Sequence, residues 1–137
     1  MKVDAIVIGP SEALAPVESV SAVAGAGLEG DRHFRAEGQR PGGALTLIEA
    51  EVLDDAGLTG PQARRQVVVR GVRLNDLIGK RFTVGDVECL GVELCEPCLH
   101  LQSLTRPGIL EELAHRAGIN ADILTSGTIA VGDEVRV

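Results

Sequence analysis

Tryptophan and tyrosine are absent from this 137-residue chain and phenylalanine occurs only twice. A core must therefore be assembled from Val, Leu, Ile and Ala, and the surface offers almost no rings on which bases could stack. With a formal net charge of −7, that shortage argues against nucleic acid as the main partner, since such binding needs phosphate-neutralising cations and usually aromatic platforms. Long apolar runs are also lacking. The opening MKVDAIVIGP is interrupted at Asp4, too short for a signal segment or a membrane span, so a cytoplasmic address without a membrane partner is expected. Cysteine is scarce and odd in number, at three; in a reducing compartment this is no disulfide framework, and it points to free thiols or metal ligands. What remains is ordinary: 45% hydrophobic and 24% charged residues exclude a disordered or fibrous chain. The length fits one domain spanning 1–137, burying roughly 65–70% of its unfolded surface.

Strand signals dominate. The segments 2–8, 17–24, 44–48, 66–72, 81–85, 87–94, 121–127 and 128–137 are short, rich in β-branched residues and bounded by Gly, Pro or Asp. Helical patterning is confined to 48–57, a short turn at 74–79, and 108–118, where Ile109, Leu110, Leu113, Ala114 and Ala117 share a face before Gly118. Strands and helices do not alternate, which predicts a mainly β, mostly antiparallel, barrel-like domain with a few peripheral helices. RFTVGDVE and TIAVGDEV each place Gly-Asp after a short apolar run, at Gly85-Asp86 and Gly132-Asp133. Both fit tight turns of the II′ type between strands. The segment EGQRPGG (37–43) reads as a flexible loop.

Three stretches carry chemistry. In GLEGDRHFR (27–35), the glycines let the backbone approach a ligand while Arg32 or His33 holds an anionic group; alternatively, Asp31 and the arginines pair with each other on the surface. In QARRQVVVRGVR (62–73), Arg64 stands at a strand mouth, suited to grip a phosphate or carboxylate. Gln66 shares its face if the chain is already extended there, and solvated edge charge is the competing reading. Cys89 alternates inside a strand and reads as a small buried hydrophobe. Cys95 and Cys98 flank Glu96-Pro97 at a strand end. They are open to three readings: a zinc clamp completed by His100 with His33 or His115, a redox pair, or one reactive thiol beside a bystander.

Taken in order, GLEGDRH, ARRQVVVRGVRLNDLIGKRFTVGD, a Pro-Cys after a strand, and GTIAVGDEVRV resemble the MOSC domain, the C-terminal domain of molybdenum-cofactor sulfurases. The resemblance runs from about residue 20 to 137 and is of the small stand-alone bacterial type. It implies a β-rich domain of the pyruvate-kinase-barrel type that carries sulfur on a cysteine as a persulfide, or binds the molybdenum cofactor through a cysteine ligating molybdenum, as in molybdenum-dependent reductases. That cysteine falls on Cys98, with Cys95 secondary. The arginine and amide around the pterin phosphate fall on Arg64 and Gln66; molybdenum-binding members have Asn where this chain has Gln66, one methylene longer. Implied partners are a cysteine desulfurase or a molybdoenzyme, with a pterin or other small anion as ligand. Some relatives are fused to a pyridoxal-phosphate desulfurase, but no pyridoxal phosphate site is expected in this chain. A thiolate is the species that takes sulfur or binds a soft metal. Arg32, His33 and Arg64 favour it and Glu96 opposes it. The alternative from another class is a non-catalytic β-barrel binding module whose Cys-x-x-Cys is structural or holds zinc.

Overall fold

Residues 1–137 are described by a computed structural model in which short β-branched runs form eleven strands. In chain order these are β1 (Lys2–Ile8), β2 (Ala15–Val17), β3 (Ser19–Val23), β4 (Gly27–Leu28), β5 (Leu45–Glu49), β6 (Val67–Arg70), β7 (Arg81–Val84), β8 (Val87–Leu94), β9 (Ile119–Ile123), β10 (Gly127–Ala130) and β11 (Val135–Arg136). Four short helices interrupt them: α1 (Ala50–Ala56), α2 (Gly60–Ala63), α3 (Leu99–Leu104) and α4 (Ile109–Glu112). A single 3-10 turn occupies Leu74–Leu77.

Eight strands form one sheet in the order β11-β7-β8-β9-β5-β6-β1-β2, and β10-β3-β4 form a second. All pairings are antiparallel except β5 with β6. The large sheet curls until its ends meet. Val3 N–H donates to Asp133 O at 2.8 Å, Gly132 N–H to Val3 O at 2.9 Å and Val135 N–H to Met1 O at 2.9 Å, joining β1 to the segment entering β11. Such closure removes most of the unpaired edge that an open sheet exposes.

The parallel pair shows how the sequence builds two layers. Successive strand residues face opposite ways. In β5 and β6, Leu45, Leu47, Val67 and Val69 enter the barrel core, while Ile48 and Val68 face outward into a second apolar cluster. Because both faces are covered, these strands read as continuous apolar runs rather than alternating ones. The outer cluster adds Leu53 from α1, Leu101 from α3, and Ile109 and Leu113 from the α4 region. Each such fully buried aliphatic side chain contributes about 1.5–3 kcal/mol, and together they fix α3 and α4 against the barrel wall.

Several sequence expectations shift. The expected helix at 108–118 shrinks to α4 because His115 takes a left-handed backbone at φ 62° and Gly118 sits at φ +102°. A Cβ on Gly118 would lie 1.9 Å from Leu47 O. Gly85-Asp86 forms the expected two-residue hairpin, with Val84 paired to Val87 and Gly85 at φ +59°. Gly132-Asp133 turns as well, but the strands it joins enter different sheets: β10 pairs with β3 and β11 with β7. The 17–24 segment likewise divides, with β2 in the large sheet and β3 in the small one. Helices α2 and α3 are additions. The first carries a readable signal, since Thr59 and Gln62 form a reciprocal capping box with Pro61 in the first turn. No helix is long and apolar enough to cross a membrane.

Candidate functional site

β8 ends at Leu94, and the next residues are fixed by their backbone. Cys95 N–H donates to Gly118 O at 2.9 Å, whereas Pro97 has no N–H to continue a ladder. Cys98 is extended and caps α3, its Sγ accepting the Leu101 N–H at 3.5 Å. The Cys98 side chain is exposed, Cys95 half-buried and Cys89 fully buried, and all three thiols are free. Burial pushes the Cys95 thiol up, with Arg65 opposing, and pushes Cys89 up to about 12.

Opposite this segment lies the loop after β4, organised by Asp31, whose side chain is 0% exposed. Its carboxylate accepts from Gly9 N–H at 3.2 Å, His33 N–H at 3.1 Å, Gln66 Nε2 at 2.7 Å and Arg32 at 3.4 Å. Arg32 also donates to Arg64 O at 3.3 Å. Burial lowers the Arg32 pKa, with Asp31 raising it and the neighbouring Arg64 and Arg65 lowering it further. The His33 pKa is lowered by burial first and Arg32 second, with Asp31 acting the other way. His33 therefore contributes a neutral ring at neutral pH, and the positive charge here belongs to the arginines.

Arg64 ends α2 in the left-handed conformation at φ 58°, and its guanidinium donates to Ser11 O at 3.1 Å and Ser11 Oγ at 2.8 Å. The chain is thus not extended at Arg64, and Gln66 does not share its face. Gln66 lies beneath the cavity, 1% exposed, spanning Asp31 and the Thr46 N–H, which its Oε1 accepts at 2.8 Å. Between them Arg65 is 8% exposed. It donates to Ala117 O (2.9 Å), Ala63 O (3.4 Å), Cys95 O (3.1 Å) and Glu96 O (3.3 Å), and it has no carboxylate partner.

These elements enclose an open cavity of about 350 Å³ whose walls include Arg32, His33, Arg64, Arg65, Cys95 and Cys98. That volume suits a small ligand, near the lower end of the roughly 300–1,000 Å³ typical of such sites. Arg40 and His100 stand at its rim. The 37–43 loop is tied down at this edge: Gly42 N–H donates to Asp122 Oδ1 at 2.7 Å, and Gln39 Nε2 donates to Ala26 O at 3.2 Å and to His33 O. Of the residues singled out in the sequence, Cys98, Cys95, Arg32, His33 and Arg64 meet here, and Gln66 supports them from below. Arg65 and Asp31 escape sequence reasoning as organisers. The run Arg64-Arg65-Gln66 gives no sign of which residue is buried, because the strand that follows is apolar on both faces and sets no alternation. Nowhere do three or more His, Cys, Asp or Glu side chains come together to hold a metal ion, so the zinc clamp lacks its further protein ligands.

The sequence profile of the MOSC domain matches residues 44–136. No curated protein matches the sequence. Among solved structures, the YuaD protein from Bacillus subtilis superposes with a TM-score of 0.80 at 17% identity, covering 98% of this chain and 93% of its own. YiiM from Geobacillus stearothermophilus gives 0.73 at 15% identity, with 98% and 73% covered, and YiiM from Escherichia coli 0.72 at 17%, with 99% and 69% covered. At these identities the structures show a shared fold, while the profile spans the strands and loops that build the cavity from Thr46 to Asn120. On that match, over more than half its length, the chain belongs to the MOSC domain family.

Proposed function

We propose that Cys98 is the working atom of an anion-accepting cavity, acting as a sulfur carrier or as the residue through which the protein binds the molybdenum cofactor. One observation carries this reading: an exposed thiol shares a cavity with Arg32, Arg64 and Arg65, and the one buried carboxylate nearby, Asp31, is engaged by the protein itself. An incoming anion supplies the counter-charge that the walls lack.

In the sulfur reading the Cys98 thiolate attacks the outer sulfur of a donor persulfide. A new Sγ–S bond forms, the donor's S–S bond breaks, and the donor cysteine leaves as thiolate, with no net oxidation. A cysteine desulfurase is the fitting donor and a molybdoenzyme the fitting recipient. Free thiols of this kind suit the reducing cytoplasm. The same donor set fits the molybdenum cofactor. Cys98 would hold its metal, Arg32 and Arg64 its phosphate, and the cofactor would supply a soft, redox-active centre. The family resemblance and the cavity support both forms of this proposal equally, and both run through the same thiol.

Intact-mass and metal analysis of protein isolated from its own cytoplasm tests it. Cys98 is expected to carry either one added sulfur atom or stoichiometric molybdenum, and Cys98→Ser to lose all loading, because a hydroxyl does not ionise near neutrality. Cys95→Ser should retain most loading while altering the rate of sulfur release. Equal loss in both variants, or full loading without Cys98, refutes the assignment.

A further inference from the structure

The eleven arginines of the chain differ sharply in their partners. Away from the cavity, Arg70, Arg81, Arg106, Arg116 and Arg136 each pair with a carboxylate. Beside it Arg32 pairs with the buried Asp31, but three others lack a close carboxylate. Arg64 is bonded only to Ser11, and Arg35 donates only to the carbonyls of Arg32 (3.0 Å) and Phe34 (2.8 Å). Arg40, its side chain 73% exposed, reaches Glu93 only at 4.0 Å.

Two of these arginines do not serve Cys98 alone. A second hollow of about 440 Å³ adjoins the Cys98 cavity, sharing His33, Arg40 and Gly43 with it, and adds Arg35, Glu37 and Gln39 with no hydrophobic residue in its lining. Two guanidinium groups face a single carboxylate, Glu37, and His33 is held towards its neutral form by burial and Arg32. The two hollows form one trench, with the thiol at one end and a net positive, wholly polar recess at the other. An apolar extension of a ligand would find no complementary wall there, whereas an anionic one meets two arginines not satisfied by close carboxylates.

Resting on the anion-accepting reading of the Cys98 cavity, we propose that its ligand continues into the second hollow and places there a second anionic group, held by Arg35 and Arg40. The ligand class is a diphosphate- or polyphosphate-bearing molecule rather than a monophosphate.

Calorimetric titration of the full chain with inorganic phosphate and with tripolyphosphate, at one pH and ionic strength, tests this. Tripolyphosphate should bind about ten-fold tighter or better, as expected for an added charge-assisted contact. The double variant Arg35→Gln, Arg40→Gln should lose that advantage, Arg35→Gln alone, outside the Cys98 cavity, should leave phosphate affinity within about two-fold of the parent, and Arg64→Gln should weaken both ligands. Arg40→Gln alone, at an exposed side chain, should remove part of the advantage without disturbing the fold, as read by circular dichroism. Arg116→Gln, which removes one charge from the exposed pair with Asp55 and lines neither hollow, should change neither affinity. Tripolyphosphate binding no tighter than phosphate, or an advantage that survives the double variant, overturns the inference and leaves the cavity reading intact. Absence of binding by either anion overturns both. Failure of the thiol assignment shows separately, in the mass and metal analysis, which depends on neither arginine.

Discussion

A single buried guanidinium does more to shape the candidate site than any residue lining its mouth. Arg65 reaches four backbone carbonyls, two of them at Cys95 and Glu96 and one at Ala117. It thereby ties α2, the cysteine segment and the approach to β9 to one point. A planar fork with five N–H groups can serve that many acceptors, whereas a lysine ammonium has three and a different reach. Arg65→Lys should therefore leave at least one buried carbonyl unpaired and lower stability by about 2–3 kcal/mol, measured by urea unfolding. Cys95, freed at its carbonyl, should alkylate faster in the variant than in the parent. An unchanged midpoint and unchanged alkylation would show that the network is dispensable. The sequence displayed Arg64, Arg65 and Gln66 as three adjacent polar residues before a strand. Their separate fates, half-exposed wall, buried tie and buried bridge, follow from the left-handed turn at Arg64, which nothing in their identities announces.

At the scale of elements, the strands β5 and β6 and the Gly85-Asp86 hairpin were legible because local pattern and final environment agree, whereas the parallel pairing of those two strands was not. Covered strands are apolar throughout, and a two-residue hairpin needs positive φ at its first position. Helix α3, six residues long, is too short to show a period, while the face read over 108–118 survives only as the four residues of α4; both depend on the barrel wall they pack against. Gly118 marks where this dependence is sharpest, since it passes Leu47 O at close range while its own carbonyl accepts from Cys95 N–H. Gly118→Ala should destabilise by more than about 3 kcal/mol, from left-handed strain plus displacement of β5. Gly79 is the comparison: its φ is +77° but nothing lies within 4 Å of its missing Cβ, so Gly79→Ala should cost only about 1–2 kcal/mol. Thermal melts of the two variants should separate clearly; equal shifts would mean that the contact with Leu47 relaxes without penalty.

Considered as a whole molecule, the protein is an acidic barrel with five of its arginines along one trench and a core containing one ionisable thiol. Cys89 is 0% exposed within the main apolar cluster, and burial raises it from 9.0 to about 12. Between those values the unfolded chain releases this proton and the folded chain keeps it. The folded state then binds more protons, so stability falls as pH rises from about 9 towards 12. The slope from this group is about 1.4 kcal/mol per pH unit. Cys89→Val, near in volume and unable to ionise, should flatten the alkaline decline relative to the parent when denaturant midpoints are compared at pH 8 and about pH 10. Parallel declines in the two proteins would show that Cys89 does not govern alkaline unfolding.

The sequence by itself determined the mainly β class, the aliphatic core demanded by the lack of aromatic rings, the burial of Cys89, and the order of motifs that marks the family. Each is a matter of composition or of local pattern, and local pattern persists in the fold wherever the neighbouring strand asks for the same residue types. Tertiary structure alone decided that β10 and β11 part into different sheets, that Arg65 is buried while Arg64 faces the cavity, and that Arg35 and Arg40 join Cys98 along one trench. Those outcomes depend on contacts between segments far apart in the chain, such as Arg65 with the Cys95 and Ala117 carbonyls and Gly42 with Asp122. A contact made between residues distant in sequence leaves no period, spacing or propensity at either end by which it could be read beforehand.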